Sequence, residues 1–183
     1  MKFRLILILS FVMLIFSCSK NDQLYKPSPK IDPYTTYKDG LRAFKENQYF
    51  FASKQFAKAE INFSSPTAAG KAAIMSAFSL YAINFYDEAE ENLNRYLKIY
   101  PSHKYQVYAN YLLAIISYEQ ISDEKHDLQP LLDANKKIDL FIQKYPNTEY
   151  AIDLNLKKNL ILNQFAAKEL YTAKYYIKVQ KWV

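Results

Sequence analysis

The chain has 183 residues, with 24 Lys and Arg against 18 Asp and Glu, a formal net charge of +6. That excess includes Lys2 and Arg4, and no run of four basic residues occurs, which argues against a nucleic-acid role needing a basic stripe. The single cysteine, Cys18, excludes an internal disulfide, and two glycines are too few for the turns of a β-rich fold.

The N-terminus opens with Met1-Lys2-Phe3-Arg4 and continues as an apolar stretch from Leu5 to Phe16. A bilayer-spanning helix needs about 20 apolar residues, so this shorter stretch reads as a signal-peptide core. Ile15-Phe16-Ser17-Cys18 then resembles the bacterial lipobox, with Cys18 as the lipid-anchor residue of a mature chain cut just before it. Ser19 stands where an Asp would signal inner-membrane retention, so the resemblance points to the outer membrane, periplasmic side. Several acyl chains, at about 0.8 kcal/mol per buried CH₂, make such an anchor effectively permanent. Residues 1–17 are thus expected to be a signal peptide and 18–31, polar and proline-containing, a flexible tether. Residues 32–183 are expected to form one helical domain.

Asp32-Pro33 reads as an N-cap followed by proline in the first turn, opening a helix to about Glu46. Asn47-Gln48 makes a turn, and a second helix covers Tyr49 to Phe63. Ser64-Ser65-Pro66 stops it and starts a third, with Ser65 as cap, running to about Asn84. A fourth covers Tyr86 to Tyr100 and stops at Pro101, and a fifth runs from about Lys104 to Gln120. Ser122 to Gln129 is a polar loop. A sixth helix spans Pro130 to Tyr145, and the last starts near Thr148 with no breaker after it.

These helices repeat. Tyr49-x-x-Ala52-x-x-x-Phe56, Tyr86-x-x-Ala89-x-x-x-Leu93 and Leu131-x-x-Ala134-x-x-x-Ile138 share one frame, their alanines 37 and 45 residues apart. Tyr100-Pro101 and Tyr145-Pro146 end two units alike. The frame resembles the tetratricopeptide repeat, a pair of helices A and B in which a small residue lets the two approach and a large one fills the gap. Gly40 and Ala77 supply the small A-helix residue, and the third A helix shows none in frame. The expected fold is an all-α solenoid of antiparallel helix pairs, about three and a half repeats.

Seventeen tyrosines and twelve phenylalanines fall mostly at helical spacing, as wedges between repeats. The remainder would line the groove of stacked A helices, with Tyr81, Tyr108, Tyr111 and Tyr118 as candidates.

Three stretches carry a closer resemblance: Pro101-Ser102-His103 with Tyr108-x-x-Tyr111-Leu112; Tyr145-Pro146-Asn147-Thr148-x-Tyr150-Ala151-x-Asp153; and Asn163-Gln164-Phe165-Ala166 with Ala173-Lys174-Tyr175-Tyr176. With the lipobox they are similar to the YfiO/ComL family of lipoproteins serving the outer-membrane β-barrel assembly (BAM) machinery. That resemblance implies a scaffold binding unfolded outer-membrane proteins with its N-terminal repeats and a BamA-type barrel protein with its C-terminal ones, beside other BAM lipoproteins. Aromatic residues expected along the concave side of repeats one to three make Phe44, Phe78, Tyr81, Tyr108 and Tyr111 the expected peptide-binding residues. The partner-docking residues that the resemblance implies are Leu154, Ile161, Phe165, Ala173 and Tyr176, on a last helix expected to be uncovered. The family carries five repeats, so a chain stopping in the fourth reads as a fragment. The alternative is a tetratricopeptide lipoprotein tethering a peptidoglycan-processing enzyme; the long helix after Pro146 favours the first reading.

Catalysis finds little support. His103 and His126 lack a nucleophile and carboxylate at triad spacing, and no phosphate loop or metal-ligand cluster occurs. Asp123, Glu124 and Asp127 fall short of a calcium loop. No cofactor or metal is expected.

Overall fold

The computed structural model describes residues 31–121 and 128–181; Cys18, the signal and tether, the loop carboxylates with His126, and Trp182 lie outside the described residues. The described part is all-helical: α1 (Pro33–Lys45), α2 (Tyr49–Asn62), α3 (Pro66–Tyr81), α4 (Tyr86–Ile99), α5 (Gln106–Glu119), α6 (Gln129–Lys144) and α7 (Glu149–Lys178). It is a tetratricopeptide-type solenoid, with α1, α3, α5 and α7 as A helices and α2, α4 and α6 as B helices.

Local sequence sets the ends of these helices. The Asp32 carboxylate accepts from the Tyr34 and Thr35 amides, and Pro33 removes a donor that the first turn leaves unpaired. Thr148 caps α7 in the same way, through the Ala151 amide. Ser65 occupies the cap position of α3 but makes no side-chain capping bond, so Pro66 alone marks that start. The first two A-to-B turns use asparagine: Asn47 and Asn84 both have φ 60°, the left-handed region that ends a helix. Behind each, a backbone bond reaches back around the turn, Gln48 to Ala43 at 2.9 Å and Phe85 to Leu80 at 3.0 Å. A tyrosine hydroxyl donates to each of these asparagines, Tyr49 to Asn47 and Tyr86 to Asn84.

Within each pair the frame works as steric chemistry requires. Ala52, Ala89 and Ala134 are fully buried, as are the large residues Phe56, Leu93 and Ile138. A side chain at Gly40 would meet the Phe56 ring at 2.9 Å, so this glycine is needed for close approach and not for its dihedral angles. Burying each large apolar side chain contributes about 1.5–3 kcal/mol, and these residues head three clusters along the array.

Two sequence expectations need correction. The third A helix does have its small residue: Ala114, 37 positions after Ala77, is buried in the cluster that holds Ala134 and Ile138. The longer third repeat hid it, because all eight extra residues fall after α5, between Ala114 and Ala134. The last helix is also not uncovered along its whole length. Leu154 and Ile161 are fully buried against α5 and α6, because they occupy the side of α7 that faces the preceding repeat. Beyond Lys168 every described residue is exposed, Ala173 and Tyr176 included, while Phe165 is half-buried at the border.

Candidate peptide-binding groove

Five aromatic residues singled out from sequence stand together on the A helices. Phe44 of α1 lies 5.7 Å from Phe78 of α3, centre to centre. Phe78 in turn lies 6.0 Å from Tyr81 and 6.2 Å from Tyr108 of α5. Tyr108 lies 6.2 Å from Tyr111, which stacks at 4.5 Å on Tyr150 of α7. The result is one ladder of ring contacts crossing four A helices. It forms because side chains at i and i+3 share a helix face, so α3 and α5 each set two rings on one side, with one more from α1 and one from α7.

Between the first rungs is a hollow of about 250 Å³, walled by Phe44, Ile74, Met75, Phe78, Tyr105 and Tyr108, with Lys71 at its edge. Lys71 also lies 5.5 Å from the Tyr37 ring centre. An apolar hollow with one cation suits the side chain of an extended segment better than a polar metabolite.

The phenols of Tyr81, Tyr108 and Tyr111 are held neutral, each shifted upward. Burial, then the neighbouring Tyr150 and Tyr81, pushes Tyr108 up to about 12. Burial and the bond to Asp153 raise Tyr111 further, and burial followed by Glu119 raises Tyr81. Tyr111 donates to Asp153 at 2.9 Å, and Lys157 holds the other oxygen of that carboxylate at 2.9 Å. Its ring and hydroxyl are therefore both engaged by α7, which makes it the fixed end of the ladder; Tyr108 borders the hollow.

Tyr118 does not join the ladder: it packs in the third-repeat cluster, with the Lys157 ammonium 5.5 Å from its ring centre. Tyr150 does join the ladder, and Tyr105 and Lys71 line the hollow beside it; none of the three is among the peptide-binding residues expected from sequence. Tyr150 is signalled by its spacing, 45 residues after Tyr105, which matches the repeat offset between Ala89 and Ala134.

His103 proves to be a structural keystone. Its Nε2–H donates to the Thr67 carbonyl at 3.1 Å, leaving Nδ1 to accept from the Tyr96 hydroxyl at 2.6 Å. A Cβ at position 70 would meet its ring at 2.9 Å, so Gly70 makes room for it. Among the described residues no group of His, Cys, Asp and Glu is placed to hold a metal, and no helix is long and apolar enough to cross a membrane.

Comparison with known proteins agrees with this architecture. Residues 29–183 match the family model described as "YfiO: Outer membrane lipoprotein". The chain is 32% identical over 144 residues to the outer membrane protein assembly factor BamD of Rickettsia prowazekii, covering 79% of this chain and 57% of that protein. It is 36% identical over 105 residues to the Caulobacter vibrioides factor of the same name, covering 57% of this chain and 34% of that one. It thus spans less than two thirds of either relative's length. With the family model matched along the whole helical array, from before α1 to beyond α7, the chain belongs to the YfiO family of outer membrane lipoproteins.

Proposed function

We propose that this chain is a periplasm-facing, lipid-anchored scaffold for outer-membrane protein assembly, which holds extended segments of unfolded barrel proteins along the aromatic ladder. The observation that carries this reading is the continuity of the rings from Phe44 through Phe78 and Tyr108 to Tyr150. In an extended chain alternate side chains point the same way, so a segment with aromatic residues at every second position lays them on successive rungs. The curated relatives are named assembly factors, which supports the same process.

The exposed outer part of α7 serves as the partner-docking surface in this reading. Leu170, Tyr171, Tyr175, Tyr176 and Ile177 are all more than 40% exposed, and exposed apolar residues grouped on one helix mark interaction sites. A BamA-type barrel protein is the partner that family membership suggests. Phe165, Ala173 and Tyr176 remain docking residues, whereas Leu154 and Ile161 support the helix from its buried side.

Photo-crosslinkers placed at Phe78 and Tyr108 test the groove with a peptide from the C-terminus of a barrel protein. Capture there, and none from Ile61 or Leu132 on the B helices, is the expected result. Capture from the B-helix positions alone would overturn the assignment. The anchor is tested separately: Cys18→Ala is expected to leave an unprocessed precursor and abolish palmitate labelling.

A further inference from the structure

The repeat frame makes the first two junctions between repeats directly comparable, and they differ. At the first, Glu60 of α2 is buried and accepts two bonds from the Arg95 guanidinium of α4, at 2.7 and 2.6 Å. The Tyr100 hydroxyl, at the end of α4, donates to the same carboxylate at 3.0 Å. At the second junction the equivalent positions are Leu97, Leu140 and Tyr145. Only the tyrosine is kept, and its hydroxyl is buried without a hydrogen-bond partner. A buried donor left unpaired is costly, so this position lacks the acceptor that its counterpart has.

The helices also stand further apart here. Ala73 and Ser76, small and buried at the first junction, are replaced 37 residues later by Asn110 and Leu113. The larger side chains prop α5 away from α4, whose packing is much sparser than that of α2 on α3. A cleft of about 540 Å³ opens between α4, α5 and α6, floored by Leu113, Leu140 and Phe141, with Tyr145 in its wall. Lys137 in this wall is neutralised by Glu90 at 2.8 Å. Lys144 faces no second carboxylate among the lining residues; its ammonium lies 5.2 Å from the Tyr145 ring centre.

We infer that this cleft is a docking site for a segment of a partner polypeptide that presents a carboxylate beside an apolar side chain. The carboxylate supplies in trans what Glu60 supplies within the chain one repeat earlier. It displaces the exposed Lys144 side chain from the Tyr145 ring, accepts from the Tyr145 hydroxyl and pairs with the Lys144 ammonium. The apolar side chain covers Leu113 and Leu140. The site lies on a different face of α5 from Tyr108 and Tyr111, so it can be filled while the aromatic groove is occupied.

The test is a titration of the whole chain in detergent with acetyl-Leu-Glu-Leu-amide, its Gln analogue and acetate, followed by methyl NMR. The Glu peptide should shift Leu113 and Leu140, with the Gln peptide binding about tenfold more weakly, the ratio expected for losing a charged acceptor. Tyr145→Phe should abolish that Glu-over-Gln preference without lowering the thermal midpoint, since it removes only an unpaired hydroxyl. Shifts confined to the aromatic groove, an unchanged preference in Tyr145→Phe, or acetate reproducing the full pattern would each overturn the proposal. A lowered midpoint in Tyr145→Phe would also overturn it, by showing that the hydroxyl already has a partner.

Discussion

The first and second repeat junctions are built on one helical frame yet close in different ways. At the first, small residues let α2 and α3 meet and a buried carboxylate ties α2 to α4. At the second, larger residues hold the helices apart and the carboxylate is gone. The solenoid periodicity is set by residues inside each pair, Ala with Phe, Leu or Ile four positions on, and these do not change. What stands between pairs is free to vary without loss of the fold, and a cleft opens where it does.

The strongest way to break the contrast is to give the first junction the residue of the second. Ser76 is 3% exposed and its hydroxyl donates to the Ser53 carbonyl at 3.0 Å. Ser76→Leu overpacks that contact and is expected to cost about 3 kcal/mol by chemical denaturation. Leu113→Ser, the reverse exchange at the open junction, should cost clearly less. Equal effects would mean that the two junctions are equally tight.

Next in size is the carboxylate. Glu60→Gln weakens three bonds at once and is expected to cost about 2 kcal/mol, held down by the 40% exposure of the Arg95 side chain. Tyr100→Phe, which removes one donor to Glu60, should cost about 1 kcal/mol at neutral pH. Its pH dependence sharpens the point. Burial first, then Glu60, raises Tyr100 from 10.0 to about 12. A phenol whose folded value is raised holds its full contribution below 10.0 and loses it as pH climbs through about 12. The midpoint of the native chain should therefore fall over that window, and Tyr100→Phe should flatten part of the fall. The smallest effect belongs to Tyr145→Phe, within about 0.5 kcal/mol of the native chain, because no bond is lost. A cost equal to that of Tyr100→Phe would contradict the difference drawn between the junctions.

Much of this architecture was legible in the sequence, for physical reasons. Proline at 33, 66 and 130 and the matched alanines at 52, 89 and 134 act through local sterics, which spacing alone reveals. The rings at Phe44, Phe78, Tyr81, Tyr108 and Tyr111 came together because helical periodicity and the repeat offset determine their faces. What was missed depends on distance in space. The Glu60 clamp joins residues 35 and 40 positions apart, and no short motif contains it. The burial of Leu154 and Ile161 depends on how α7 leans on α5 and α6, which the apolar spacing of α7 leaves open on either side. His103 looked solitary because its partners, Thr67 and Tyr96, come from two other repeat elements.

Amide hydrogen exchange, resolved along α2 to α6, tests the account most directly, because local opening reports how firmly each junction is closed. The buried amides of α2 and α3, such as those of Ala59 and Ala73, should exchange last, and the α5 amides flanking the cleft, such as that of Leu113, clearly earlier. Glu60→Gln should bring the first junction toward the rate of the second. Equal protection at both junctions in the native chain, or slower exchange around Leu113 than around Ala73, would contradict it.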